Sequence, residues 1–391
     1  MRRVYLDHNA TAPLRPEARA AMLEAYDVVG NPSSVHTEGR AAKGLLEKAR
    51  VQVAEALGAM GSDIVFTSGA SEAAALALAG RGLSGASIEH DAVWSWIDPV
   101  LPVDGQGRVA VQAPGVTALQ LANSETGVVQ DLPRGLAVSD VTQAVGRLPF
   151  AHDWSGAEMA VLSAHKFGGP KGVGALVVPQ GSDLAARIRG GGQEMGRRSG
   201  TENLPGIVGM GAAISAAVAE LAAGRWEKIA QFRNILENAL EAASKETIFV
   251  GKGADRLPNT TCFVTPGWKG ETQVMAMDLA GFAISAGSAC SSGKVTESRV
   301  LRALGFDAGA AGCATRVSLG PGTTQEDVLR FADVWAEKLR KHRARAASLV
   351  KGIDPEARHA WHFKREIDFQ VLFVVAPLAI THDVVDQLAN F

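Results

Sequence analysis

Cysteine is scarce in this chain of 391 residues: Cys262, Cys290 and Cys313 are the three, widely spaced and without a C-x-x-C pair. A disulfide framework is excluded, and a zinc or dithiol redox site has no support. A reducing cytoplasm is the expected location. The nine histidines show no paired ligand spacing, so no metal is expected. Charge of either sign is sparse, with 39 Lys+Arg against 41 Asp+Glu, 20% charged residues and a net charge of −2. No basic field exists to hold nucleic acid or an anionic membrane. Hydrophobic runs of spanning length are missing as well. Leu204 to Ala219 is uncharged but rich in Gly, Ala and Ser, and Val371 to Ile380 has about half the ~20 residues a spanning helix needs. Both read as buried elements of a soluble protein. The start, Met1 to His8, reaches Asp7 before an apolar run forms, unlike a signal peptide.

What is present is apolar and glycine-rich. The 47% apolar content excludes bulk disorder, and 43 glycines exceed the usual ~7%, pointing to tight turns and close backbone approaches. The length suits about two to three domains. Helical spacing runs from Arg15 to Tyr26. A second helix is predicted with Thr37 as its cap, an inner face of Ala41, Leu45, Ala49, Val53 and Leu57, and Gly58 as its stop. Asp63 to Thr67 reads as a strand, followed by a glycine turn and the Ala/Leu-rich stretch Ala73 to Ala79. The strand–turn pattern recurs near Leu119 and Met159, and Gly172 to Val178 reads as another buried strand. Alternating strands and helices predict an α/β core with a mostly parallel sheet. Pro205 to Glu241 and Gln325 to Arg345 read as helical, with shorter strands between Phe249 and Gly320.

Four groups of residues are equipped for chemistry. In Ser68-Gly69-Ala70-Ser71, a helix N-terminus offers N–H groups and a positive dipole end to a phosphate, with the Ser71 hydroxyl beside them; an ordinary serine cap is the alternative. No Gly-Lys-Ser/Thr or Gly-x-Gly-x-x-Gly follows, so nucleotide readings lose their usual support. Lys166 follows the apolar strand Met159 to Ala164, at the strand end where α/β folds place ligands. A desolvated amine there forms Schiff bases, or it simply snorkels into water. Asp140 and Gln143, taken alone, read as turn residues. Beside a phosphate turn and a strand-end lysine, they complete what pyridoxal phosphate requires. Cys290 lies in the small, polar run Ser285 to Lys294, whereas Cys262 and Cys313 read as core fillers. A thiol with a pKa near ~8.5 needs a proton acceptor or cationic neighbour to react at neutral pH, and Lys294 and His90 are candidates.

Taken in order, these motifs resemble a cysteine desulfurase of the NifS/IscS-like kind, in the class V aminotransferase group of fold-type I pyridoxal phosphate enzymes. The matching segments are Tyr5 to Thr11, Gly30 to Ser34, Thr67 to Glu72, Glu89-His90, Glu125 to Gly127, Asp140 to Gly146, Ser163 to Gly174, Gly190 to Glu194, Arg198 to Asn203, the Cys290 loop and Thr315 to Gly320. The resemblance implies an α/β large domain over 15–250 and a smaller α+β domain, built from 1–14 plus 251–350, that carries the cysteine loop. The tail 351–391 has no assigned role.

It further implies Lys166 as the Schiff-base lysine, Asp140 on the pyridine nitrogen, His90 stacked on the ring, and Gln143, Asn123 and Ser124 near the ring oxygen. Ala70, Ser71, Ser163 and His165 would hold the phosphate, with Thr201 reaching in from the second subunit of a homodimer. Asn31 and Arg316 would take the carboxylate of L-cysteine. Cys290 would take its sulfur as a persulfide, leaving alanine, for transfer to an acceptor such as an iron-sulfur scaffold protein. Selenocysteine lyase or aminotransferase chemistry on the same scaffold, or a catalytically silent regulator, are the competing readings. The sequence departs from the family in three places. Ser124 stands where the family has a second Asn, Ala75 stands where it has another Asn, and the Ser124 to Asp140 connection is too short for the helix and strand the family inserts.

Overall fold

The structure, a computed structural model, describes residues 2–287 and 297–352. Cys290, Lys294 and residues 353–391, and with them most of the 351–391 tail, lie outside the described residues.

Five strands make the central sheet, in the order β2 (Ser62–Thr67), β8 (Gly174–Pro179), β7 (Ala157–Ser163), β6 (Leu136–Asp140) and β5 (Ala118–Gln120). β5, β6 and β7 are parallel, while β8 opposes both of its neighbours. β2 therefore points the same way as the parallel three. The sheet is mixed, with β8 as its one reversed strand. Two further strands, β3 (Ser84–Ala86) and β4 (Asp98–Leu101), pair in parallel, and a single parallel bridge from Ser84 to Thr117 joins them to the β5 side. Leu136 to Val138 and Ala160 to Leu162 are buried without alternation, as strands covered on both faces must be.

One face of the sheet is covered by α1 (Pro16–Tyr26), α2 (Thr37–Ala56) and α6 (Leu204–Ala222), the other by α3 (Ala70–Leu78). Two details of α2 differ from the sequence reading. His36, not Thr37, caps it, accepting from the Gly39 N–H. Its buried stripe is Ala42, Leu46, Ala49 and Val53, so the true stripe is offset by one residue in the first turns, where Ala41 is exposed. Leu57 is buried just past the end, and Gly58 takes φ +55°, a left-handed stop that a Cβ would strain. α6 is long and apolar enough to cross a membrane, yet Ile207, Met210, Ala213 and Ile214 pack in the core.

The helical run expected from Pro205 to Glu241 is broken at Gly224, φ +75°. The second half, α7 (Arg225–Ala243), turns away from the main sheet. Its Trp226, Ile229, Phe232 and Leu236 join a second core with α8 (Gly270–Leu279) and α11 (Gln325–Gly352). That core lies on an antiparallel sheet ordered β12 (Ser285–Ala286), β13 (Ala314–Ser318), β10 (Thr260–Val264), β9 (Ile248–Phe249). The N-terminal β1 (Val4–Tyr5) pairs with β11 (Phe282–Ala283), which ties the start of the chain to this second unit. Short helices α9 (Arg299–Ala303) and α10 (Ala308–Ala311) complete it.

The connections on the β5 side are bare. No helix is assigned between β5 and β6, in keeping with the short spacing of the sequence. Only four-residue helices, α4 (Asp91–Trp94) and α5 (His152–Ser155), stand between β3 and β4 and between β6 and β7.

Where β8 begins, the backbone of the turn before α3 presses on it. A Cβ on Gly174 would sit 2.6 Å from both Gly69 Cα and the Leu162 carbonyl oxygen, backbone atoms that have no room to yield. Gly174→Ala should therefore cost roughly 1–3 kcal/mol by overpacking. Thermal melts check this, and an unchanged Tm contradicts it.

Candidate active site

Functional side chains collect where β6 and β7 end and α3 begins. The turn into α3 relies on Gly69, whose φ of +157° and ψ of 178° form a glycine-only conformation. The Ser68 N–H is taken by Glu72 Oε2 and the Gly69 N–H by Thr67 Oγ1. The N–H groups of Ala70 and Ser71 stand in the first helical turn, where no intrahelical acceptor exists. Ser163, the last residue of β7, places its hydroxyl 3.7 Å from where a Gly69 Cβ would stand. This donor set suits the phosphate that the resemblance implies.

Asp140 ends β6, its Oδ1 accepting from the Thr142 N–H. His90 precedes α4 and accepts the Ala92 N–H at Nδ1, 3.1 Å, so the neutral ring carries its proton on Nε2. Burial lowers its pKa most; Asp140 and Asp91 pull it up, Lys166 and Arg299 push it down. That His90 feels both Asp140 and Lys166 places the three in one electrostatic neighbourhood. His165 is driven to about 4 by burial, then by Lys166, Lys171, Arg147 and His90, and its Nδ1 lies 3.1 Å from Thr11 Oγ1. Both imidazoles are neutral at pH 7.

Lys166 closes the turn after β7, and its Nζ donates to the carbonyls of Asn9 and Ala10 at 2.8 and 2.9 Å. Gln143 Nε2 shares the Asn9 carbonyl at 3.0 Å. Asn123 is committed to its own turn: its carboxamide oxygen accepts from the N–H groups of Glu125 and Thr126, and its nitrogen donates to the Ile88 carbonyl. It shapes the loop that carries Ser124. A cavity of about 410 Å³ is walled partly by Lys166 and Arg147, but not by His90, Asp140 or Ser71.

The second unit contributes Arg316, from β13. It is 1% exposed and donates to the Ser124 carbonyl at 3.0 Å and to Asp7 Oδ1 at 2.8 Å, while its Nε is buried without a partner. Asn31 and Thr201 are exposed, and the Asn31 side-chain oxygen accepts from the Ser33 N–H. The segment before Thr201 is latched to α2, β2 and the first turn of α3 in its own chain: Glu194 accepts from Arg50 and from the Phe66 N–H, and Arg198 pairs with Glu72. Cys262 is pushed up to about 12 and Cys313 is also raised, both chiefly by burial, as befits packing thiols.

Several residues had no role assigned from the sequence. Asp7 is the acid on Arg316, and its other oxygen accepts from Ser285. Glu89 is buried, accepting from the Gln120 N–H at one oxygen with the other unpartnered, and burial drives its pKa well up. Asp7 and Glu89 fell inside the matching motifs, but nothing in their spacing announced these contacts.

The aminotransferase class-V family model matches residues 4–93 and 109–331. A cysteine desulfurase of Cereibacter sphaeroides is 40% identical, the match covering 85% of this chain and 95% of that protein. Among solved structures, a NifS-like protein of Rickettsia africae superposes with a TM-score of 0.77 at 29% identity, covering 88% of this chain and 99% of its own. The structure titled SspA in complex with cysteine gives 0.67 at 29%, covering 82% and 100%.

Glu125 supplies a pH test. It is buried, accepts from Ser298 Oγ at 2.6 Å, and is raised to about 7: burial lifts it most, Ser298, Arg316 and Arg299 lower it, and Asp91 adds a lift. Its folded pKa exceeds the unfolded value, so between about pH 4.5 and 7 the folded protein keeps a proton that the unfolded chain has shed. Its contribution to stability is full below that window and declines as pH rises through it. Glu125→Gln should flatten the fall in Tm between pH 5 and 8 and raise Tm at pH 8. An identical pH slope in the variant contradicts the assignment.

Proposed function

The chain belongs to the class-V aminotransferase family, and within that family we propose that its strand-end site holds pyridoxal phosphate and acts on L-cysteine. The protein is a cysteine desulfurase. The observation that supports the site reading is that His90 feels the charges of both Asp140 and Lys166, while the Ser163 hydroxyl at the end of β7 lies against the Gly69 turn.

When bound, the cofactor supplies an electron sink for the pair left at the substrate α-carbon. Lys166 anchors it and moves the proton at that carbon. Asp140 would keep its pyridine nitrogen protonated, the neutral His90 ring would hold its ring system, and Gln143 and Ser124 would donate to its ring oxygen, with Asn123 setting the loop. The N–H groups of Ala70 and Ser71, the hydroxyls of Ser71 and Ser163, and His165 hold the phosphate. Thr201 serves the second subunit of a homodimer.

Asn31 and Arg316 take the substrate carboxylate, which suits the unpartnered Arg316 Nε and the exchangeable Asp7 contact. The Cys290 thiolate attacks the substrate sulfur: an S–S bond forms, the C–S bond breaks, and its electron pair stays with the carbon skeleton, which is protonated to alanine. L-cysteine plus thiol gives alanine plus persulfide, with no outside oxidant. The persulfide passes to an acceptor such as an iron-sulfur scaffold protein in the cytoplasm. The bounds read as 15–250 for the cofactor-binding unit and 1–14 plus 251–350 for the sulfur-handling unit shift accordingly, since α7 and β9 pack with the latter.

Lys166→Ala should abolish the visible absorbance band of the cofactor-loaded protein and all turnover, while Lys171→Ala keeps the band. The reverse pattern in a spectrophotometric comparison contradicts the assignment. Cys290→Ser should lower sulfide release from L-cysteine at least ~100-fold while the band remains, because a hydroxyl does not replace a thiolate nucleophile. Cys262→Ser and Cys313→Ser should turn over normally. A sulfide assay of the three variants checks this, and full activity in Cys290→Ser contradicts it.

A further inference from the structure

Arg147 follows β6 in the same turn as Gln143 and is 3% exposed. Its guanidinium donates to four oxygens: Asn9 Oδ1 at 2.9 Å, Gln143 Oε1 at 2.6 Å, the His8 carbonyl at 3.2 Å and the Lys166 carbonyl at 2.9 Å. None of them is a carboxylate, and among the described residues no ion pair includes Arg147. A buried cation answered only by neutral oxygens is costly unless each contact is well made. Burial, and secondarily Arg316, lowers its pKa to about 9, so the charge is still present at pH 7.

Two consequences follow for the cofactor pocket. The Gln143 carboxamide is oriented from both ends, its oxygen held by Arg147 and its nitrogen on the Asn9 carbonyl. It can therefore offer a neighbouring oxygen only an N–H. The Lys166 turn is pinned at its carbonyl by the same guanidinium, while its amine and Arg147 both grip Asn9.

We propose that Arg147 is a positioning residue for the cofactor: it fixes Gln143 as a donor toward the ring oxygen and holds the Lys166 turn through its carbonyl. The inference rests on the reading that pyridoxal phosphate is the cofactor. Among the described residues, His90 and His165 both feel the Lys166 charge, His90 also feeling Asp140, Asp91 and Arg299, and His165 feeling Lys171 and Arg147. Removing a nearby cation favours protonation, and freeing the Gln143 amide to flip works in the same direction.

The test is a spectrophotometric pH titration of the visible band in the cofactor-loaded dimer, with Tm measured in parallel. Arg147→Met should move the midpoint to higher pH by about 1 unit, about tenfold in proton affinity. Arg147→Lys keeps the charge and should restore most of the midpoint, while its single ammonium, unable to span four oxygens, releases pyridoxal phosphate about 10-fold faster. An Arg147→Met protein that loads cofactor and titrates like the wild type, whatever its Tm, overturns the proposal. Should that variant not fold, Arg147→Lys decides alone, and an unchanged cofactor off-rate overturns it. A wild-type protein that forms no visible band with pyridoxal phosphate refutes the cofactor reading instead.

Discussion

Asn9 lies where the two sheets meet, and its hydrogen bonds run in both directions. Its carbonyl accepts from Lys166 Nζ and Gln143 Nε2, and its side-chain oxygen from Arg147 and Asn259. Its amide nitrogen donates to the Ser124 carbonyl and Thr260 Oγ1, and its N–H to Ser318 Oγ. With 1% exposure, every one of these groups must be satisfied inside the protein, because an unmade bond costs about 1–3 kcal/mol there. The N-terminal segment is therefore fixed at a single depth between the units. Lys166 and Gln143 come from one unit, Asn259, Thr260 and Ser318 from the other, and a shift of either breaks several bonds at once. The same logic extends through Asp7, which bonds Arg316 of β13 and Ser285 of β12.

The candidate site draws on the ends of β6 and β7 and the start of α3, while no helix lies between β5 and β6. The family match pauses over residues 94–108, around β4. There Trp96 and Val100 are exposed, and Val116 is exposed beyond. The helices α1, α2 and α6 pack one face of the central sheet, and α3 packs the other. Chemistry placed at strand ends depends on register, and the β6–β7 register, Asp140 opposite Val161, is secured by apolar strands buried on both faces.

Much of this was legible in the sequence. Strand-end placement of Lys166 and Asp140, the glycine turn before Ala70 and the burial of Cys262 and Cys313 follow from short-range patterns of apolar runs and glycines. The α2 stripe was misplaced in its first turns because its alanines offer little hydrophobic contrast, so neighbouring stripes score alike. The break at Gly224 hid within a continuous helical pattern, and only tertiary packing separates α6 from α7. Asn9 and Asp7 carry no role in the local pattern because their side chains bond residues more than a hundred positions away, and Arg147 joins Gln143 and Lys166 nearby to His8 and Asn9 far off, which no local spacing encodes. Arg316 was singled out through the resemblance, but its Asp7 partner was not.

The central claim is that this protein moves sulfur from L-cysteine to its own thiol and leaves alanine behind. The most direct measurement is the product balance of the pyridoxal phosphate-loaded protein given L-cysteine and a reducing thiol. Alanine and sulfide are expected in equal amounts. Pyruvate with sulfide, or an oxo acid that retains its sulfur, would contradict it.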